Sequence, residues 1–213
     1  MTGRFLVLEG IDGCGKTTQL QHLADWLPGS GLMPPGATLH CTREPGGTPL
    51  GRALRQLLLT PQQHSAPAPT AELLLYAADR AQHVEQVIRP ALERGDWVLS
   101  DRFSGSTLAY QGHGRALDLH TIADLERIAT AGIVPDITFW LDLPLQMSLS
   151  RRGARADDRI EAEGEAFLAR VSEGFQRLSV ERQWSPVAAD QSADQVQQVI
   201  RGLLKDWLAQ APQ

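Results

Sequence analysis

Residues 10–18 read Gly-Ile-Asp-Gly-Cys-Gly-Lys-Thr-Thr and stand directly behind the apolar run Phe-Leu-Val-Leu-Glu at 5–9. They match G-x-x-x-x-G-K-[ST] in the context that gives that pattern physical meaning. The apolar run predicts a buried strand and residues 19–27 predict an amphipathic helix, so the glycines lie on a strand-to-helix turn. The backbone N–H groups of Gly10, Ile11, Asp12, Gly13, Cys14, Gly15, Lys16, Thr17 and Thr18 can converge there on phosphates, helped by the positive end of the helix dipole. Lys16 can neutralise β- and γ-phosphate oxygens, and Thr17 offers a hydroxyl to Mg²⁺. Lys occurs only at Lys16 and Lys205, while the other 18 of the 20 basic residues are Arg. A chain with that preference keeps Lys where a compact ammonium is wanted. The arrangement implies a bound nucleoside triphosphate.

With 213 residues and 42% apolar content, the chain can bury one substantial core, which predicts one domain over 1–213. No stretch approaches ~18 uninterrupted apolar residues and the first residues lack signal-peptide features, which predicts a soluble cytoplasmic protein without a membrane partner. The net charge of −5 argues against a nucleic-acid surface. Cys14 and Cys41 have no metal-like spacing and read as reduced thiols. Cys14 faces the phosphate loop, either with a thiol acidified by the helix N-terminus or simply as a small loop residue.

Short apolar runs at 5–9, 37–42, 97–101, 137–143 and 186–189 alternate with helical stretches at 16–27, 49–59, 70–94, 119–131, 144–151, 160–183 and 193–209. This alternation predicts an α/β fold, a five-stranded parallel sheet with helices on both faces. Ligands of such sheets collect at the carboxyl ends of the strands. The phosphate loop, Thr42-Arg43-Glu44-Pro45-Gly46-Gly47-Thr48, Asp101-Arg102-Phe103 and Asp142 all follow strands, so four distant segments should meet in one cleft.

Asp101 closes the third strand, where a carboxylate serves Mg²⁺ or its waters; the alternative is a helix N-cap. Arg43, ahead of a rigid Pro-Gly-Gly turn, suits bidentate capture of a second phosphate, or else braces the turn through Glu44. Tyr76 and Arg80 lie one helical turn apart on one face, as pocket residues would, and also as a core tyrosine with a surface arginine would.

These residues resemble the thymidylate kinase family over nearly the whole chain. The likeness runs through Asp12 in the loop, Thr42 to Thr48, Tyr76-Ala77-Ala78-Asp79-Arg80, Asp101-Arg102-Phe103, Ser106-Thr107, Tyr110-Gln111-Gly112, Pro135-Asp136, Leu141-Asp142 and Asp158-Arg159-Ile160-Glu161. The Thr-Arg-Glu-Pro-Gly-Gly-Thr run is its most specific part. The resemblance implies the P-loop NTPase fold of the nucleoside monophosphate kinase type. It also implies transfer of the γ-phosphoryl group of ATP, with Mg²⁺, to thymidine monophosphate. It assigns Lys16, Thr17 and Asp101 to the donor and its metal, and Arg43 and Arg102 to the acceptor phosphate. Tyr76 is assigned to stacking on thymine, Arg80 to its polar edge, Thr107, Tyr110 and Gln111 to the remaining base and sugar contacts, and Asp12 to the sugar's 3′ side. Gly13 follows the loop acid where some members carry arginine. The chain is therefore similar to the bacterial branch whose arginines come from a lid, here about 151–160, with Arg151 against adenine and Arg155 (or, with the register shifted, Arg152) bridging the phosphates. A homodimer is implied, with residues 70–94 available as its interface. A kinase of another nucleoside monophosphate shares the fold. A GTPase switch lacks its Asn-Lys-x-Asp reader, since the chain contains no Asn.

Overall fold

The structure, a computed structural model, describes residues 3–61, 66–152 and 158–210. Its elements run β1 (Arg4–Glu9), α1 (Lys16–Trp26), β2 (Leu39–Arg43), α2 (Pro49–Leu59), α3 (Pro69–His83), α4 (Arg89–Glu93), β3 (Trp97–Asp101), α5 (Ser104–Thr107), α6 (Leu119–Thr130), β4 (Ile137–Asp142), α7 (Leu145–Arg152), α8 (Glu165–Glu181), β5 (Ser185–Ala188) and α9 (Ala193–Gln210). The five strands form one parallel sheet in the order β2-β3-β1-β4-β5. Leu8 of β1 and Arg43 of β2 both pair with Asp101 of β3, so three strands end at one level. The loops leaving them share one edge of the sheet, which is the edge that holds the site.

The core follows from the strand sequences. Phe5, Leu6, Val7 and Leu8 are all fully buried, because a central parallel strand is covered on both faces. Leu6 and Leu8 join the larger apolar cluster with Phe139, Phe175 and Ile200, while Phe5 and Val7 face Val84, Ile88 and Phe103 on the other side.

Two helical segments depart from the sequence reading. The helix expected over 160–183 is a 3₁₀ turn, Glu161–Glu163, broken at Gly164 before α8 begins. The helix expected at 70–94 is one rod from α3 to α4 interrupted by a π-helical turn, Val84–Ile88. Pro90, which lacks an N–H, follows that turn, where helices relax their hydrogen-bond ladder. A segment without a predicted element is also helical, α5 continuing as a π-helix over Leu108–Gly114. Its composition reads as loop, but it packs so closely on α8 that a Cβ at Gly114 would stand 2.7 Å from Phe167.

Candidate active site

Between β1 and α1 the loop turns tightly. Gly10 has φ 144°, and a Cβ there would meet the Leu141 carbonyl at 2.7 Å. Gly15 caps α1 in the left-handed region, no side chain caps the helix, and its first turn carries no acidic residue. The orphan N–H groups of that turn are thus left for an anion, with no acidic residue in the turn itself to compete for them. Lys16 is buried, its Nζ donating to the carbonyls of Gly10 and Ile11, each at 3.0 Å. Ile11 and Cys14 are buried while Gly13, Thr17 and Thr18 are exposed at the mouth of the loop. Burial pushes the Cys14 thiol up, so the acidified-thiol alternative does not hold.

Thr17 Oγ1 donates to Asp101 Oδ2 at 3.0 Å, which brings a hydroxyl and a carboxylate together at the loop's edge. These are hard oxygen donors of the kind Mg²⁺ prefers. Among the described residues no cluster of three or more His, Cys, Asp or Glu side chains could hold a metal.

A cleft of about 550 Å³ opens beside the loop, with Asp12, Tyr76, Arg80, Arg102, Thr107, Tyr110 and Gln111 on its walls. Arg102 has φ 76°, unusual for a side-chain-bearing residue. Its backbone is held by Arg102 N–H donating to Leu8 O and by Ser100 Oγ donating to Arg102 O. The next turn is fixed by Glu9, fully buried, which accepts from the N–H groups of Phe103 and Ser106 and from the Ser106 hydroxyl. Arg102 Nη1 donates to Gly10 O and Ser106 Oγ, and Nη2 to Asp12 Oδ1 at 2.5 Å and Tyr110 Oη at 3.2 Å. Tyr110 in turn donates to Asp12 Oδ2 at 2.6 Å. Burial works against the Asp12 charge, but Arg102 and then Lys16 outweigh it and hold the carboxyl well below the usual carboxylate range. The acid in the phosphate loop is therefore matched by cations before any phosphate arrives.

Arg80 is 2% exposed, which rules out the surface arginine of the sequence reading. Its Nε donates to Glu44 Oε2, Nη1 to Thr107 Oγ1 and Glu126 Oε1, and Nη2 to Phe103 O. Four of the five donors of a guanidinium are thus spent on protein. Tyr76 is half-buried in the cleft, where burial drives its hydroxyl pKa upward. Gln111 donates to Glu72 Oε1 at 2.8 Å.

Arg43, the last residue of β2, is exposed and stands outside the cleft lining. It does not brace Glu44, which is held by Arg80 and by His83 Nδ1 at 2.8 Å. Sequence reasoning missed Arg55 of α2, which lines the cleft and donates to Pro45 O at 2.9 Å. Burial, and then the nearby Arg43 charge, depress its pKa, so Arg43, Arg55 and Arg102 form one electropositive group. On the sequence Arg55 looks like any cation on an amphipathic helix; its only signal is the spacing that turns it toward the turn before α2. Arg151 is exposed near the end of α7, and Arg155 and the Arg152 side chain lie outside the described residues. Asp158 and Ile160, just past that segment, form part of the cleft wall.

A parallel sheet in this strand order, a Gly-Lys-Thr loop opening the first helix and a basic acceptor cleft beside it define a P-loop phosphotransferase of the nucleoside monophosphate kinase class. Comparison with known proteins narrows the class. The family model for thymidylate kinase matches residues 8–200. The chain is 71% identical over 209 residues to the thymidylate kinase of Synechococcus sp. (strain WH7803), covering 98% of each chain. It is 68% identical to that of Synechococcus sp. (strain CC9605), covering 98% of this chain and 100% of the relative. The crystal structure of thymidylate kinase from Ehrlichia chaffeensis superposes with a TM-score of 0.78 at 30% identity, covering 96% of this chain and 100% of that one. The chain belongs to the thymidylate kinase family.

Proposed function

We propose that the protein transfers the γ-phosphoryl group of ATP to thymidine monophosphate, giving ADP and thymidine diphosphate on the route to thymidine triphosphate. The observation that carries this reading is the Asp12–Arg102–Tyr110 cluster, which joins the donor loop and the acceptor cleft in one hydrogen-bonded unit. Phosphoryl transfer needs little covalent help from protein; it needs two repelling phosphates aligned and neutralised. Lys16 and the first turn of α1 address the donor. Arg102, Arg55 and Arg43 draw the acceptor phosphate, whose oxygen attacks the γ-phosphorus as the bond to the β–γ bridging oxygen breaks and ADP leaves. Thr17 and Asp101 would hold Mg²⁺, whose charge offsets that of the β- and γ-oxygens when it is bound. Asp12 faces the sugar, Tyr76 stacks on the base, Thr107, Tyr110 and Gln111 complete the pocket, and Arg80 offers its one unspent N–H. Arg151 is assigned to adenine and Arg155 to the bridging role.

No helix among the described residues is long and apolar enough to cross a membrane. A cytoplasmic homodimer completes the reading, since α2, α3 and α6 pack side by side and expose Leu57, Leu74 and Ile128; light scattering tests it. The central test is a coupled ADP-release assay across nucleoside monophosphates. Thymidine monophosphate should give the highest kcat/KM; a clear preference for another monophosphate would overturn the assignment.

A further inference from the structure

Glu72, in the first turn of α3, lies behind the cleft and is fully buried. Its carboxylate accepts four hydrogen bonds. Oε1 takes Gln111 Nε2 at 2.8 Å and Arg115 Nε at 3.2 Å, while Oε2 takes Arg115 Nη2 at 2.9 Å and Arg159 Nη2 at 2.5 Å. An ionised carboxylate has about four lone-pair sites and no donor, so this one is saturated. Burial opposes its charge, but the hydrogen bonds from Arg115, Gln111 and Arg159 outweigh it and hold its carboxyl below the usual range. It therefore stays an acceptor at neutral pH.

This fixes a neighbour. A side-chain amide can turn either way, but beside a pure acceptor it must present its NH₂. Gln111 is 2% exposed and lines the cleft, and no donor among the described residues reaches its carbonyl oxygen. Building on the thymidine monophosphate reading, we propose that Glu72 is the positioning residue for base selectivity: it holds the Gln111 amide so that its carbonyl oxygen faces the cleft and accepts the N3–H of thymine. Cytosine carries a lone pair at N3 and meets that oxygen with repulsion. Selectivity of this kind is strong because the wrong base leaves a buried polar group unpaired.

The test compares kcat/KM for thymidine monophosphate and deoxycytidine monophosphate in the wild type, Glu72→Gln and Arg115→Met. Gln at 72 can donate or accept, which frees the Gln111 amide to turn. The thymidine-to-cytidine ratio should fall about tenfold or more in Glu72→Gln, with the KM for ATP unchanged. Arg115→Met removes one of the two arginines paired with Glu72 but leaves Arg159 and the amide contact, so its ratio should match the wild type. An unchanged ratio in Glu72→Gln overturns the proposal, as does an equal fall in Arg115→Met, which would make Glu72 an ionic anchor. If Glu72→Gln does not fold, Glu72→Asp keeps the charge and withdraws the oxygens, and carries the same two outcomes. A wild type that does not phosphorylate thymidine monophosphate rejects the underlying functional reading instead.

Discussion

Replacing Arg80 by Met separates its bracing of buried groups from the base contact proposed for it. The side chain is 2% exposed and serves Glu44, Glu126, Thr107 and the Phe103 carbonyl. Arg80→Met keeps the apolar stem but leaves two buried carboxylates without their cation. Breaking a buried ion pair from one side costs about 3–5 kcal/mol, which at ~2–4 °C per kcal/mol for a chain of this size lowers Tm by roughly 6–20 °C. The defect should depend on pH in a definite sense. Burial already raises the Glu126 pKa, and Arg80 is the largest force opposing that rise, so the variant's folded state holds a proton on Glu126 to higher pH. A carboxyl raised above its unfolded value contributes least stability once pH exceeds the folded pKa. The gap between variant and wild type should therefore be smallest at acid pH, below the ordinary glutamate value of 4.5, and widen as pH rises above it. Differential scanning fluorimetry from about pH 3.5 to 8.5 measures this. A variant that melts with the wild type across that range, while binding thymidine monophosphate more weakly, would falsify the bracing role and leave Arg80 a ligand residue alone.

Three further outcomes follow from the same geometry. Lys16→Met should fold normally, yet give negligible transfer in single-turnover assays with saturating nucleotides; a wild-type rate would remove Lys16 from the chemistry. Arg55→Ala should raise the KM for thymidine monophosphate about 5- to 150-fold, the span of losing about 1–3 kcal/mol of charge-assisted hydrogen bonding, with the KM for ATP steady; no change would make Arg55 a brace for Pro45 only. Asp79, which accepts from the Gly46 N–H, has its pKa pushed up from 3.8 to about 6 by burial and then by Glu44. The raised pKa means that wild-type stability falls as pH rises between those values, by about 3 kcal/mol in all. Asp79→Asn, which keeps the acceptor, should be the more stable protein in urea at pH 7.5 and lose that advantage at pH 4.

What the sequence made legible was whatever is written locally. The phosphate loop, β3 over Trp97–Asp101 and α2 over Pro49–Leu59 are read correctly because apolar period, Pro at the first helical turn and glycine spacing act within a few residues. The helical segment Ser104 to Gly114 is not legible locally because its glycines and serines have poor helix propensity. It is held in place by contacts with Phe167 and Val171, far along the chain. Arg55 is hidden from a sequence reading for a similar reason, since its place on the cleft wall depends on how the turn after β2 folds back over α2.

The deeper gap lies between which residues gather and which of their hydrogen bonds remain to spend. Motif reading brings Arg80 and Arg102 to the cleft as equals of Arg43. The structure shows Arg102 committing both terminal nitrogens to Gly10, Ser106, Asp12 and Tyr110, and Arg80 keeping one N–H. Arg55 spends a single donor on Pro45. Under the proposed function, an acceptor phosphate would meet unengaged charge on Arg55 and Arg43, and would gain Arg102 in full only if Asp12 or Ser106 yields. Asp12 is thus the carboxylate that anchors Arg102 and Tyr110 beside the cleft, which gives an acid in this loop a structural part.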